Sequence, residues 1–405
     1  MTARRVSTNP FRPGAGHMPL YLAGRDGEKN EFKKLLSQDI VLENLILTGL
    51  RGVGKTVLLD SLKPIAINSG WLWVGTDLTE ATSLTEDRVA VRMLADLAVV
   101  TSSVEVEAEW RDSRRIGFRA PPDEAPRTLT FEAMESIYAK TPGLTIDKLK
   151  TVLEFAWNCV RRQRPNAKGL IFAYDEAQNM SDKSHLNEFP LSLMLDLFQS
   201  IQKRNYPIML ALAGLPTLFP KLVEARTFSE RMFRVLFLDH LDERASRDAI
   251  VKPTEQPNCA LKLSEEGVHS IIEASGGYPY FIQFICREVY DAALQELGVD
   301  RPPVVPIPEI TRKLDTDFFA GRWARATDRQ RDLLRVIARL DGCDGEFTTR
   351  EVVEKSKQLL KKPFTASHVS QMFVNLSEAG LIYRNRHGKY SFAVPLLGQF
   401  IRRQP

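Results

Sequence analysis

Leu45-Ile-Leu-Thr-Gly49-Leu-Arg-Gly-Val-Gly-Lys55-Thr56 is the stretch that decides how this chain folds. Its first four residues are a short apolar run, the profile of a buried strand. Glycines follow at 49, 52 and 54, then Lys55 and Thr56, completing the pattern GxxxxGK[ST]. Residues 56–63 read as a helix. A glycine-rich turn between strand and helix wraps its backbone around an anion with the amides pointing inward. The helix N-terminus adds partial positive charge at the same place. In this pattern the lysine reaches the β- and γ-phosphates of a nucleotide, and the Thr56 hydroxyl binds Mg²⁺. The expected ligands are ATP and Mg²⁺, cradled by Gly49, Gly52, Val53, Gly54, Lys55, Thr56 and Val57.

A second motif stands about 120 residues further on. Leu170-Ile-Phe-Ala-Tyr-Asp175-Glu176 is an apolar strand ending in two carboxylates. Ligands of open α/β sheets bind at the carboxyl ends of the strands. Asp175 is expected to hold the metal ion through water. Glu176 is expected to orient or activate the attacking water. An acidic pair after a strand is weak evidence alone; beside the glycine loop it completes a site.

Working outward, residues 71–76, 207–213 and 233–238 also read as strands. Helical patterns cover 26–37, 145–160 and 188–203, and Ser83-Leu-Thr-Glu86 caps another that runs to about Val99. Strands alternating with helices imply a parallel sheet covered on both faces. Residues 1–17 read as an extended arm. Residues 101–145, with Glu105, Glu107, Glu109, Arg111 and Pro121-Pro122, read as an insertion in a core spanning 18–238. Residues 239–297 read as helical. Residues 298–321, with prolines at 302, 303, 306 and 308, read as a stiff linker.

The last segment, 322–405, opens with two capping boxes, Thr327-Asp-Arg-Gln330 and Thr348-Thr-Arg-Glu351. A third helix, Thr365–Ala379, ends at Gly380. Residues 381–394 read as a β-hairpin with a turn at 385–388. Three helices and a hairpin resemble a winged helix-turn-helix. Its third helix would enter a major groove, presenting Ser367, Ser370 and Gln371; Arg384, Arg386 and Lys389 on the wing would meet phosphates. Phe392, Leu396 and Phe400 read as packing residues, and His368 and His387 as surface groups.

Composition agrees. The chain has 405 residues, room for two to four domains, with 43% hydrophobic and 26% charged residues, which excludes a disordered or fibrous chain. No apolar run approaches the roughly 18 residues of a membrane span, and no secretory h-region follows the N-terminus. Cys159, Cys259, Cys286 and Cys343 are too scattered for a disulfide scaffold, so a reducing cytoplasm is expected. Net charge is +4, but 322–405 carries 16 Lys and Arg against 8 Asp and Glu. A basic end on a near-neutral body points to an anionic partner.

Together these motifs resemble an AAA+-type ATPase of the Orc1/Cdc6-like and STAND-related group, over roughly residues 9–300 plus the C-terminal module. The resemblance implies strand order 5-1-4-3-2, a helical lid and a winged helix. It implies that the segment Pro19–Asp26, with Arg25, packs near adenine. It also implies that Arg231, in Ser229-Glu-Arg231, is an arginine finger for a neighbouring subunit, with Arg226 and Arg234 as competitors. The chain departs from the group in two places. The fourth strand, in Leu210-Ala-Leu-Ala-Gly214-Leu-Pro-Thr217, lacks a polar residue at its tip, with Thr217 the nearest stand-in. The lid has Gly276-Gly-Tyr-Pro279, close to the GxP motif of STAND proteins, where a sensor arginine is common; Arg287 is a distant substitute. The expected function is an ATP-hydrolysing switch that acts on double-stranded DNA and self-associates. The alternative is a slow signalling ATPase whose winged helix docks a protein partner.

Overall fold

A five-stranded parallel sheet carries one half of the protein. The computed structural model describes residues 8–106, 128–256, 259, 261–295, 304–386 and 388–404. They divide into two units, one of Gly27–Thr48 with Leu58–Phe237, the other of Met1–Asp26, Gly49–Val57 and Leu238–Pro405.

In chain order, α1 (Asp26–Leu36) leads into β1 (Asn44–Gly49), and β1 is followed by the glycine loop, whose residues Gly49–Val57 belong to the other unit, and by α2 (Lys55–Asn68). Then come β2 (Trp71–Val74), α3 (Glu86–Thr101), α4 (Phe131–Lys140), α5 (Thr145–Gln163) and β3 (Gly169–Tyr174). The chain continues through α6 (Pro190–Gln202), β4 (Ile208–Gly214), α7 (Leu218–Ala225), α8 (Ser229–Met232) and β5 (Phe233–Leu238). The sheet order is β2-β3-β4-β1-β5, the order that the resemblance implies. β1 and β3 both pair in parallel with β4, so their carboxyl ends lie on one edge of the sheet. Every residue of β1, β3 and β4 is buried, which is why these strands read as unbroken apolar runs.

The stretch expected to be an insertion is more structured than its composition implies. Glu105 and Thr128 form an antiparallel bridge, and Thr130 caps α4 by accepting from the Ala133 amide. Val104, Leu129, Ala133 and Met134 are buried in the same core as Val152 and Phe172. Glu107, Glu109, Arg111 and Pro121-Pro122 lie outside the described residues.

The second unit gathers the N-terminal segment, the lid and the C-terminal module. The lid is α9 (Glu243–Thr254), α10 (Glu265–Ser275) and α11 (Pro279–Gln295). The expected arm lies along α11: the Asn9 amide donates to the Asp291 carboxylate at 2.9 Å, and Phe11 is 2% exposed in a core with Phe281 and Ile285. The expected linker is helical from Ile307 onward. Pro306 and Pro308 sit at the N-cap and first turn of α12 (Ile307–Leu314), where a missing amide costs nothing and the fixed φ suits a helix. A π-helical turn (Asp315–Phe319) joins α12 to α13 (Ala320–Trp323). Phe319 stacks on Phe400 at 5.0 Å, so one core spans lid and C-terminal module.

The C-terminal module is α14 (Asp328–Ile337), β6 (Phe347–Thr348), α15 (Thr349–Leu359), α16 (Ala366–Glu378), β7 (Ile382–Arg386), β8 (Lys389–Phe392) and α17 (Leu397–Arg403). Thr327 and Thr348 cap α14 and α15 as the sequence predicts, and Thr365 caps α16. The strands form an antiparallel sheet, β6-β8-β7; β6 and α17 were not anticipated. Phe392 and Phe400 are buried in the module.

Candidate functional site

The glycine loop holds the conformation its sequence calls for. Gly52 and Gly54 have φ of +83° and +89°, open to glycine at little cost and strained for other residues. Nothing lies within 4 Å of where a Cβ on Gly54 would point. Gly49 has no such space: a Cβ there would be 2.4 Å from the Leu238 carbonyl. Lys55 is buried, and its ammonium donates to the carbonyls of Gly49 and Leu50 at 3.0 and 2.9 Å. The ammonium is thus folded over the loop it belongs to. Thr56 is half-buried in the first turn of α2, with Val57 beside it; a Cβ on Gly16 would lie 3.1 Å from the Thr56 methyl.

Arg25 is 5% exposed, and its guanidinium donates to the carbonyls of Val53 (3.0 Å) and Asp239 (2.8 Å). It braces the loop from behind. Pro279 opens α11, and the amide of the next residue, Tyr280, donates to the Gly52 carbonyl at 3.2 Å. The lid motif therefore grips the loop through main chain. Arg287 pairs with Glu288 and lies over the Phe284 ring.

In the sheet unit, Asp175 is 3% exposed at the end of β3. Its carboxylate accepts from the Glu176 amide at 2.7 Å, and its main chain pairs with Thr76 and Leu78. Glu176 is exposed and left-handed, at φ +53° and ψ +32°, a strained conformation for a non-glycine residue. The Asp60 carboxyl is raised above the usual range, first by burial and then by the charges of Asp175 and Asp77. Lys63 offsets part of this, and a negative field of this kind suits a cation. Among the described residues no group of three or more His, Cys, Asp or Glu could hold a metal ion by itself. A cation here would complete its shell with water and phosphate oxygens.

At the tip of β4, Thr217 precedes α7 and its side chain makes no cap. The polar group at this tip is Gln178 instead, which accepts from the Leu215 amide at 3.0 Å and donates to the Glu176 carboxylate. Sequence reasoning passed over Gln178 because it follows β3 rather than β4. Of the three candidate finger arginines, Arg226 is bidentate to Asp196, and Arg234 pairs with Glu43 and Glu31. Arg231 is exposed on α8 and, among the described residues, its side chain has no hydrogen-bond or ion-pair partner.

In the C-terminal module, Ser367, His368, Ser370 and Gln371 are exposed on α16. Arg384 is exposed on β7, and Lys389 is half-buried on β8. Arg386 is paired with Glu346 at 2.7 Å, an acid the sequence reading did not connect with the wing. His387 lies outside the described residues. Among the described residues no helix is long and apolar enough to cross a membrane.

A protein-family model described as a domain of unknown function (DUF8462) matches residues 316–401. No curated protein matches the sequence. Among solved structures, the Walker-type ATPase paby2304 of Pyrococcus abyssi is similar over 94% of this chain and 96% of its own, at 15% identity and a TM-score of 0.55. The Aeropyrum pernix ORC1 protein in complex with DNA aligns over 96% of this chain and 94% of its own, at 18% identity and a TM-score of 0.47. Cdc6p from Pyrobaculum aerophilum aligns over 96% of each chain, at 16% identity and a TM-score of 0.47. The first of these shows a shared fold, that of a P-loop ATPase; the other two overlap too loosely to carry an argument.

Proposed function

We propose that the protein binds ATP with Mg²⁺, hydrolyses it, and uses the cycle to switch its engagement with double-stranded DNA. The observation that carries this reading is the loop itself: two left-handed glycines, an open face at Gly54 and a lysine at the start of a helix. That combination is built for a phosphate chain. Lys55 exchanges its loop carbonyls for β- and γ-phosphate oxygens, and Arg25 keeps the loop in shape from below. Thr56 and Asp175 are the residues that would hold Mg²⁺, which neutralises charge on the phosphates when bound. Glu176 takes the proton of the attacking water or orders its approach. Arg231 is free to serve a neighbouring copy as a finger, which makes self-association part of the reading.

The DNA part rests on the exposed polar face of α16, on Arg384 and on the charge of residues 322–405. A second reading, a slow switch whose C-terminal module docks a protein, is favoured by one observation. That module and the lid share a core, and the lid grips the loop.

The deciding experiment measures nucleotide affinity and turnover for the parent and Lys55→Ala, with and without duplex DNA. Losing a charged contact worth about 1.5–3 kcal/mol weakens ATP binding roughly ten- to a hundredfold. Parental affinity in a folded Lys55→Ala protein would refute nucleotide binding by this loop.

A further inference from the structure

We propose that Gln178 is a positioning residue for the hydrolytic step, fixing the Glu176 carboxylate against the tip of β4. The proposal rests on the ATPase reading above and adds how the base is held.

Both ends of the Gln178 amide are engaged. Oε1 accepts from the Leu215 amide at 3.0 Å, and Nε2 donates to the Glu176 carboxylate. The two partners fix the orientation of the amide, since only oxygen can accept from an N–H and only the NH₂ can donate to a carboxylate. The space for it is also provided. A Cβ on Gly214 would lie 2.7 Å from Gln178 Oε1 and 2.9 Å from the Leu218 side chain. β4 therefore ends on a residue without a side chain, where the amide comes in.

The turn that carries Gln178 is pinned on two further sides. Lys221 on α7 donates to the Gln178 carbonyl at 2.7 Å, and the Asn179 amide group donates to the Leu78 carbonyl at 2.8 Å. Burial pushes the Lys221 ammonium below its ordinary pKa, yet that carbonyl still holds it. The left-handed Glu176 directs the chain from β3 into this turn. A glutamate on an exposed turn would otherwise sample several rotamers, and positioning losses of about 1 Å cost a reaction on the order of a hundredfold. Gln178 removes that freedom and ties the carboxylate to the strand tip. The tip contributes the Leu215 main-chain N–H.

The test uses the full chain, with steady-state ATP hydrolysis and nucleotide binding measured for four variants: Gln178→Leu, Gln178→Glu, Glu176→Gln and the double variant Gln178→Leu/Glu176→Gln. Gln178→Leu is expected to lower kcat about ten- to a hundredfold, with KM and nucleotide Kd within about twofold of the parent. Gln178→Glu keeps the acceptor for Leu215 but turns the donor to Glu176 into a like charge, so kcat falls at least as far. In the Glu176→Gln background the Leu substitution changes kcat by less than about twofold, because no base remains to be positioned.

Parental kcat in either single Gln178 variant overturns the proposal. So does an equal fold loss from Gln178→Leu with and without Glu176, which would mark a purely structural role. If Glu176→Gln itself hydrolyses ATP at the parental rate, the assignment of the base falls first, and the proposal falls with it for a different reason.

Discussion

Glu176 is an exposed residue in a backbone conformation that side chains avoid. Such a position costs on the order of 1–3 kcal/mol and persists only when the surroundings enforce it. Here they do, through the Asp175 carboxylate on its amide and Gln178 on its side chain. Two substitutions separate chemistry from strain. Glu176→Gln keeps shape and hydrogen-bonding reach but cannot take a proton, so turnover is expected to fall by about 10²–10⁴ while ATP affinity holds. Single-turnover hydrolysis beside a binding titration checks this. Glu176→Gly also removes the base, but it accepts the left-handed backbone freely. Its melting temperature is expected to equal or exceed that of the parent while its turnover collapses. A drop of several degrees in the glycine variant would mean that the side chain holds the turn together, contrary to the strain argument.

At the scale of elements, the helix starts are where sequence and structure agree most closely. Thr348 accepts from the Glu351 amide at 3.1 Å, and the Glu351 carboxylate accepts from the Thr348 amide and hydroxyl at 2.7 and 2.8 Å. Those bonds, the Thr348 side-chain bond foremost, hold the Glu351 carboxyl below its usual range. A depressed carboxyl contributes stability that is present above its unfolded pKa and lost as pH falls through the folded value. Thr348→Ala is therefore expected to cost about 1 kcal/mol near neutral pH and less in acid, once Glu351 is protonated. Amide exchange in the first turn of α15, followed against pH, reads this directly; a cost that does not change with pH would mean the carboxylate takes no part. The capping boxes at Thr327 and Thr348, the buried strands and the glycine loop were legible because each is specified within a few residues. At α3 the expected box from Ser83 to Glu86 does not form, because Thr85 caps the helix and the Ser83 hydroxyl donates to the Thr79 carbonyl instead. α4 was not, because Phe131–Lys140 follows a charged, proline-containing stretch and is held by packing against α3 and α5. α12 was misread because two of its prolines sit at the helix start, where they initiate rather than stiffen. Gln178 and Glu346 were invisible for a related reason: each acts on a residue brought to it by the fold, and no local pattern announces such a partner.

At the scale of the molecule, the C-terminal charge that pointed to an anionic partner turns out to be partly spent. Arg386 pairs with Glu346, Arg335 with Asp332, Lys357 with Glu354 and Arg403 with Asp315. Exposed pairs of this kind contribute about 0–1 kcal/mol to stability, but each lowers the field that a duplex would meet. On the wing, Arg384 is exposed and has no acid against it among the described residues, whereas Arg386 must leave Glu346 or share it. This ranks the wing substitutions. Arg384→Glu is expected to weaken duplex binding across all sequences and to lower the slope of log affinity against log salt by about one. Glu346→Gln removes a repelling charge and frees Arg386, so it is expected to tighten binding by severalfold at low salt and to steepen the slope. Gln371→Ala, on the exposed face of α16, is expected to alter preference among sequences and leave the slope alone, since it carries no charge. Binding isotherms on one duplex at several salt concentrations, for the parent and these three variants, give every number needed. A Glu346→Gln protein that binds no more tightly than the parent would show that the wing does not face the phosphates. A flat salt response in all four would assign the C-terminal module to a protein partner instead.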